Sequence, residues 1–143
     1  MSQQLVDAAK APTVGYNDKN WEAVERAVAS DFSYDEVATH RNVRGVDDVI
    51  GIWKGWAAAF PDSKATFDRA HVSGNTVILE VTWRGTHSGP LRTPTGETAA
   101  TGKKIEMRGC QIVDMADGKV RSICQYYDMA TLMSQLGVNL VGA

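Results

Sequence analysis

Hydrophobic positions follow a helical period in the first half of the chain, and the clearest run lies between Gly45 and Pro61. Its apolar members recur every three or four residues: Val46, Val49, Ile50, Trp53, Ala57 and Phe60. That spacing places them on one face of an α-helix. Asp47 and Asp48 favour the positive N-terminal end of such a helix, and Pro61 ends it. The pattern therefore predicts a helix over residues 46–60 with one buried face.

Two further helical segments precede this one. The first is predicted from Leu5 to about Pro12, where the missing backbone N–H of proline should kink or restart the helix. The second carries Trp21 on its buried face, and either Asn17 or Asn20 can cap its N-terminus. The first half of the chain is thus expected to be mainly helical.

Short apolar runs separated by turn residues fill the second half of the chain, which is typical of strands. The predicted strands, with one that precedes the long helix, cover residues 31–37, 64–73, 76–87, 103–115 and 120–128. The segment 88–101 is rich in Gly, Pro and Thr and is predicted to be a loop. Asp128 should cap a last helix that Gly137 ends.

Helices followed by an antiparallel strand meander favour an α+β fold over a parallel α/β sheet. A curved sheet wrapped around a helix leaves an internal cavity, and apolar cavities with a few polar groups are the usual small-molecule sites. The length of 143 residues predicts a single domain over 1–143 with one core.

Charge and hydropathy narrow the possible partners. The net charge of −2 gives the chain no strongly basic character, so we expect no nucleic-acid partner. The first ten residues carry no basic, apolar leader, and no stretch approaches the roughly 20 apolar residues that cross a membrane. We therefore expect a cytoplasmic protein with no membrane partner.

The cysteines and histidines give no metal-binding pattern. Cys110 and Cys124 fall in two strands of one predicted hairpin and do not form a CxxC pair. Buried free thiols and a disulfide both remain open. The three histidines are scattered without ligand spacing, so no metal site is predicted.

Several short motifs, in order, resemble the SnoaL-like polyketide cyclase family of the NTF2-like superfamily. The matching residues are Ala59-Phe60-Pro61-Asp62, Trp83-Arg84-Gly85-Thr86-His87-Ser88-Gly89-Pro90, Thr101-Gly102-Lys103, Asp117-Gly118-Lys119-Val120, and Asp128 with Gln135-Leu136-Gly137. No single motif is specific, and together they cover roughly residues 15 to 137.

The resemblance implies a cone-shaped α+β domain, in which a curved mixed or antiparallel sheet wraps around helices and encloses a deep apolar pocket. It also implies no metal, no cofactor and a homodimer. Proteins of this architecture include aldol cyclases, ketosteroid isomerases, epoxide hydrolases, dehydratases and binding modules. The implied ligand is a small apolar molecule that is polyketide-like or steroid-like, and the fold alone does not fix a reaction.

One departure from the family concerns the last two strands. The related cyclases commonly carry an ionisable pair seven residues before and seven after Gly118, where this chain has Gln111 and Gln125. A glutamine amide donates and accepts hydrogen bonds but takes no proton near neutral pH. The two amides can orient a carbonyl or epoxide oxygen, or they can form a buried network that joins the two strands.

Five other residues are candidates for the site. Asp35, at the end of the first strand, is the carboxylate that can serve as a base at the pocket mouth, although a solvated aspartate is an equal alternative. Tyr16 and Tyr127 are candidate hydroxyl donors, and Tyr127 shares strand parity with Gln125. Trp53 and Trp56 can belong to the core, to the pocket wall or to both.

Two classes of function follow. The first is a cofactor-independent cyclase, isomerase or hydrolase in which Asp35 acts as base and Gln111 and Gln125 orient a carbonyl-bearing or oxygenated substrate. The second is a ligand-binding or dimeric interaction module of the NTF2-like type, without catalysis. The glutamine pair is the feature that favours the second class.

Overall fold

The computed structural model describes residues 2–94 and 96–138. The helices of this part of the chain are α1 (Ser2–Asn17), α2 (Trp21–Ala27), α3 (Val46–Ala59) and α4 (Met129–Leu136). The strands are β1 (Val28–Glu36), β2 (Arg41–Arg44), β3 (Lys64–Ser73), β4 (Thr76–Thr86), β5 (Leu91–Thr93), β6 (Gly96–Thr98), β7 (Lys104–Ala116) and β8 (Lys119–Tyr127). A 3-10 turn, Val37–Thr39, joins β1 to β2.

Six strands form one mixed sheet in the order β2-β1-β8-β7-β4-β3. Neighbouring strands are antiparallel except for β1 and β8, which run parallel. The two shortest strands, β5 and β6, form a separate hairpin. This curved mixed sheet with its helices confirms the predicted α+β fold.

Strand alternation sends apolar side chains from the sheet toward the helices. The main core lies between the sheet and helices α1, α2 and α3, and its largest buried members include Phe32, Tyr34, Val49, Trp53 and Leu79. A second apolar cluster forms where α4 packs on β7, around Phe60, Ile105, Met107, Leu132 and Leu136. The two clusters border the space in which the candidate site lies.

The periodic segments fold as predicted. The expected helix over 46–60 is α3, and the expected strand over 64–73 is β3. Asn20, not Asn17, caps α2 by accepting a hydrogen bond from the Ala23 N–H at 3.1 Å. Asp128 caps α4 by accepting from the Thr131 N–H at 3.0 Å. Gly137 ends that helix in a left-handed conformation, as its position suggested.

Two expectations about local structure need correction. Helix α1 continues through Pro12, which is buried, so packing of the helix against the sheet outweighs the one hydrogen bond that proline cannot form. The segment expected to be a loop over 88–101 contains the β5–β6 hairpin, although Thr95 itself lies outside the described residues.

The segment 87–89 binds the C-terminal end of α3. The Ser88 and Gly89 N–H groups both donate to the Ala59 carbonyl, at 3.0 and 3.1 Å. A Cβ atom on Gly89 would clash with the Ala58 carbonyl oxygen, so only glycine fits there without a shift of the backbone. This part of the family-like motif is therefore structural, because it satisfies the Ala59 carbonyl, which the helix end leaves unpaired.

Three other expectations can be compared with the described residues. Cys110 and Cys124 are free thiols. No helix in the part of the chain that the structure covers is long and apolar enough to span a membrane. Within residues 2–94 and 96–138, no group of three or more His, Cys, Asp or Glu side chains is placed to hold a metal ion.

Candidate functional site

A cavity lies between the inner face of the sheet and helices α1, α3 and α4. It contains about 610 Å³ of unfilled space, which includes its opening to solvent. Most of its wall is apolar, with Trp53, Trp56, Trp83, Met107 and Leu132 among the lining residues. A concave, mainly apolar space with a few polar groups is typical of a small-molecule site.

Aromatic rings narrow one end of the cavity. The Tyr16 ring contacts Trp53 and Trp83 edge-on, with centroid distances of 6.3 and 5.4 Å. The Tyr16 hydroxyl forms a 2.6 Å hydrogen bond with the Ser63 Oγ, and burial raises the pKa of Tyr16 to about 12. This tyrosine lines the cavity and stays protonated, but its hydroxyl already has a partner.

Gln111 and Gln125 face each other across β7 and β8, and both side chains are buried in the cavity wall. The Gln111 Nε2 donates to the Gln125 Oε1 at 2.8 Å. The Thr13 hydroxyl, from α1, donates to the Gln111 Oε1 at 3.2 Å. The amides therefore form the buried network between strands that the sequence suggested. They also line the cavity, where they can contact a ligand, so the two interpretations do not exclude each other.

The network continues onto β1. The Gln125 Nε2 donates to the Tyr34 hydroxyl oxygen at 2.7 Å, and the Tyr34 hydroxyl donates to the Glu36 Oε2 at 2.8 Å. We call this series of residues the polar strip: Thr13, Gln111, Gln125, Tyr34 and Glu36. All five line the cavity, so the strip forms its polar wall.

Glu36 is a fully buried carboxylate at the end of the polar strip. Its Oε2 accepts from Tyr34 and from the Trp56 Nε1, the latter at 2.9 Å. Its Oε1 accepts from the Thr39 hydroxyl at 2.6 Å and from Arg41, whose Nη2 and Nε lie at 2.6 and 3.2 Å. Since a carboxylate has about four lone-pair positions, these donors leave none free for a substrate proton.

The structure places Asp35 away from the cavity. Successive side chains of a strand point to opposite faces, so Asp35 points outward while Tyr34 and Glu36 point inward. Its Oδ2 lies 3.8 Å from the Cys124 Sγ on the outer face of the sheet. The expectation that Asp35 sits at the pocket mouth is therefore corrected, because the carboxylate of this strand that reaches the cavity belongs to Glu36.

The Tyr127 hydroxyl is the unpaired polar group of the cavity. Its oxygen is buried and has no hydrogen-bond partner among the described residues. The ring contacts Trp56 edge-on, with centroids 5.8 Å apart. Burial raises the pKa of Tyr127, and the nearby Glu36 charge raises that pKa further, although no hydrogen bond of acceptable geometry joins the two groups. The hydroxyl thus stays protonated near neutral pH and is a donor without a partner among the described residues, in the cavity wall near Glu36.

His87 is a second buried group with an unpaired atom, but it does not line the cavity. The Thr101 N–H donates to its Nδ1 at 3.2 Å, which assigns the proton of the neutral ring to Nε2. The ring stacks on Phe60 with centroids 5.1 Å apart. Burial lowers the pKa of His87, and the nearby Gly89 backbone opposes that shift.

Six of the seven predicted site residues lie together at the cavity: Tyr16, Trp53, Trp56, Gln111, Gln125 and Tyr127. Sequence reasoning missed Thr13, Tyr34 and Glu36. The alternation of Phe32, Tyr34 and Glu36 along β1 was the available signal for two of them. Thr13 carried no signal, because its role depends on how α1 packs against β7.

The site can orient and polarise a ligand more readily than it can remove a proton. Its polar groups are neutral amides, the Thr13 and Ser63 hydroxyls, protonated tyrosines and one carboxylate whose lone pairs are all used. Such donors stabilise a developing negative charge on an oxygen when they are held in place in a dry cavity.

Known structures share this architecture. A putative SnoaL-like polyketide cyclase from Jannaschia sp. CCS1 has a TM-score of 0.84 at 16% identity, covering 96% of this chain and 94% of its own. IdmH, a putative polyketide cyclase from Streptomyces antibioticus, has a TM-score of 0.79 at 24% identity, with coverages of 94% and 99%. AclR, a putative hydroxylase from Streptomyces galilaeus, has a TM-score of 0.78 at 19% identity, with coverages of 96% and 97%.

At these identities the likeness shows a common fold and no common reaction. No curated protein matches the chain. A family model described as SnoaL-like polyketide cyclase matches residues 6–136, which is nearly the whole chain. The protein therefore belongs to the SnoaL-like polyketide cyclase family.

Proposed function

We propose that the protein binds a small, mostly apolar molecule in this cavity and holds a carbonyl oxygen of that molecule against the Tyr127 hydroxyl. The observation that carries the proposal is the buried Tyr127 hydroxyl, which lines a mainly apolar cavity and has no hydrogen-bond partner among the described residues. A buried donor without an acceptor costs about 1–3 kcal/mol, so an oxygen placed there by a ligand gains a strong advantage.

Tryptophan rings suit the rest of such a ligand. Trp53, Trp56 and Trp83 offer flat apolar surface on several sides of the cavity. The Trp56 indole N–H is bonded to Glu36 and its ring stacks with Phe60, so Trp56 can offer a ligand only apolar contact. A fused-ring ketone, polyketide-like or steroid-like, is the ligand class that these surfaces favour. IdmH is described as a putative polyketide cyclase, which is consistent with this choice.

Binding without acid–base catalysis is the function that the geometry supports best. Burial raises the pKa of the three cavity tyrosines, Tyr16, Tyr34 and Tyr127, so they are protonated near neutral pH and none of them is a base. Glu36 has no free lone pair, and Asp35 is on the other face of the sheet. The binding module that sequence reasoning set beside the enzyme is therefore our proposal.

A second candidate is catalysis by polarisation. Tyr127 and the amides of the polar strip can stabilise an oxyanion in an isomerisation or cyclisation whose proton acceptor is the substrate or a water molecule. The Tyr127 donor favours this candidate as much as it favours binding. The two differ in one outcome, because only the enzyme converts a bound ketone to product.

Titration of the protein with ketones of increasing ring number, from 1-tetralone to a four-ring steroid ketone, tests the proposal. Tryptophan fluorescence reports binding, since three of the four tryptophans line the cavity. We expect saturable binding, and about tenfold weaker binding by Tyr127→Phe, the effect of one lost hydrogen bond. Tyr126→Phe is the matched control, because Tyr126 is exposed on the outer face.

Two results would contradict this proposal. One is the failure of every ketone in the series to bind. The other is equal affinity of wild type and Tyr127→Phe, which would mean that the hydroxyl does not contact the ligand oxygen. Analysis of the same mixtures by mass spectrometry shows whether any ketone is converted, and conversion would favour the second candidate.

A further inference from the structure

Hydrogen bonds along the polar strip can run in only one direction. Glu36 is paired with Arg41, whose guanidinium is always charged, and an ionised carboxylate accepts hydrogen bonds but donates none. The Tyr34 hydroxyl must therefore give its hydrogen to Glu36 and accept one from its other neighbour. That neighbour is Gln125, which has to present its N–H2 group to Tyr34.

The direction of the Tyr34 hydrogen bonds also fixes the orientation of the Gln125 and Gln111 amides. Because the Gln125 nitrogen faces Tyr34, its oxygen faces Gln111 and accepts from the Gln111 N–H2 group. The Gln111 oxygen then faces Thr13 and accepts from its hydroxyl. One buried charge on β1 thus fixes the amide orientation of two glutamines on β7 and β8.

The fixed order leaves amide hydrogens of both glutamines in need of partners. Each glutamine N–H2 group carries two hydrogens, and only one of each is used within the described residues. The Gln111, Gln125 and Tyr34 oxygens each accept one hydrogen bond, and the lone pairs of Glu36 are all occupied. The Tyr127 hydroxyl adds a third unused hydrogen. The cavity wall therefore offers donors to a ligand.

We propose that Glu36 is a positioning residue that orients Gln111 and Gln125 as donors, so that the cavity selects a ketone, quinone or lactone oxygen over a hydroxyl group. The inference rests on the proposed function and narrows its ligand class. A carbonyl oxygen accepts hydrogen bonds and brings no hydrogen of its own. A hydroxyl brings a hydrogen that Glu36 cannot accept, because its lone pairs are occupied, and that leaves only the second lone pairs of the neutral amide and hydroxyl oxygens.

Glu36→Gln is the direct test of this role. The variant keeps the shape of the side chain, but its amide can donate as well as accept, so the strip can reverse and both glutamines can present oxygens. The probes are 1-tetralone and 1-tetralol, which have the same rings and differ in a carbonyl or hydroxyl group. We expect wild type to bind the ketone about tenfold more tightly than the alcohol, and the variant to bind both about equally.

Tyr34→Phe is the second variant, in case Glu36→Gln does not fold. It keeps the Glu36–Arg41 pair but removes the hydroxyl that links Glu36 to Gln125. The ketone preference should fall here as well. Asp35→Asn is the matched control, since it changes a carboxylate on the same strand that faces away from the cavity, and the preference should persist. Circular dichroism checks that each variant is folded.

The outcomes separate this inference from the proposed function. If wild type binds ketone and alcohol equally, or if the folded variants keep the ketone preference, Glu36 does not set the selectivity, while ligand binding in the cavity still stands. If wild type binds neither probe nor any larger ketone, the proposed function fails and this inference fails with it.

Discussion

Asp35 and Glu36 are consecutive residues of β1, but Asp35 lies on the outer face of the sheet and Glu36 lies inside the cavity. Their chemistry is the same, but Glu36 is in contact with five donor atoms and Asp35 with a single thiol. Composition and motifs cannot make this distinction, whereas strand parity can, once the buried Phe32 and Tyr34 are recognised as the inward series. Residue chemistry was therefore predictable here, and side-chain direction decided the role.

The glutamine pair shows the opposite case. Its place in the cavity followed from the resemblance, and the structure brings both amides there. Which amide donates and which accepts could not be predicted from the sequence, because a carboxylate on a strand distant in sequence sets that direction. The parallel pairing of β1 with β8 places Glu36 beside Gln125, and no local pattern encodes it.

The buried His87 ring should make the stability of the folded protein depend on pH. Burial lowers its pKa in the folded protein, so the unfolded chain binds a proton more readily than the folded chain does. Stability should therefore fall as the pH drops below about 6.5, the usual value for histidine, toward the lower folded value. Urea unfolding at several pH values measures this slope.

His87→Gln should reduce that pH dependence, whereas His40→Asn, at an exposed position with a left-handed backbone, should leave it unchanged. An identical slope for wild type and His87→Gln between pH 5 and 7 would show that the buried ring is not responsible.

At the scale of elements, periodic segments were predictable and tertiary pairings were not. Helix α3 and strand β4 follow from hydrophobic spacing, because one face of each is buried. Strand β3 was predicted from its apolar run and its turn, although only Ala65 is buried and Phe67 partly buried. Strand β2 shows no such hydrophobic spacing in its sequence, and it forms because it pairs with β1. Helix α1 continues through Pro12 for a similar reason, because its packing on the sheet compensates for the low helix propensity of proline.

Two glycines near the same helix should respond oppositely to alanine. Gly89→Ala should destabilise the fold by about 1–3 kcal/mol, because its Cβ would meet the Ala58 carbonyl oxygen. Gly55→Ala, within α3 and with open space around it, should stabilise by about 0.5–1 kcal/mol. Thermal or urea unfolding measures both changes. A neutral Gly89→Ala would mean that the segment 87–89 moves freely away from α3.

For the whole molecule, the resemblance predicts a homodimer, and that prediction stays open. The outer face of the sheet is the surface we expect to be involved, since it carries the exposed ring of Tyr126 beside partly exposed Ile112 and Cys124. Tyr126→Arg should shift the protein toward monomer in sedimentation velocity at micromolar concentration. Val14→Arg, an exposed apolar position on α1, is the control. A wild-type monomer under these conditions would contradict the expectation.

The fold brings three otherwise separate features together at one cavity. Helix α3 supplies tryptophan rings, β7 and β8 supply oriented amides, and β1 supplies the charge that orders them. The family and the presence of a cavity could be predicted from the sequence. The full occupation of the Glu36 lone pairs by hydrogen-bond donors could not be predicted, because Thr39, Arg41 and Trp56 reach this carboxylate from three different elements.

A crystal structure of the protein with 1-tetralone bound tests the central claim most directly. The account predicts the rings of the ketone among the cavity tryptophans, and its carbonyl oxygen at about 2.6–3.0 Å from the Tyr127 hydroxyl oxygen. A ketone bound outside the cavity, or inside it with the carbonyl turned away and the Tyr127 hydroxyl still unpaired, would contradict the account.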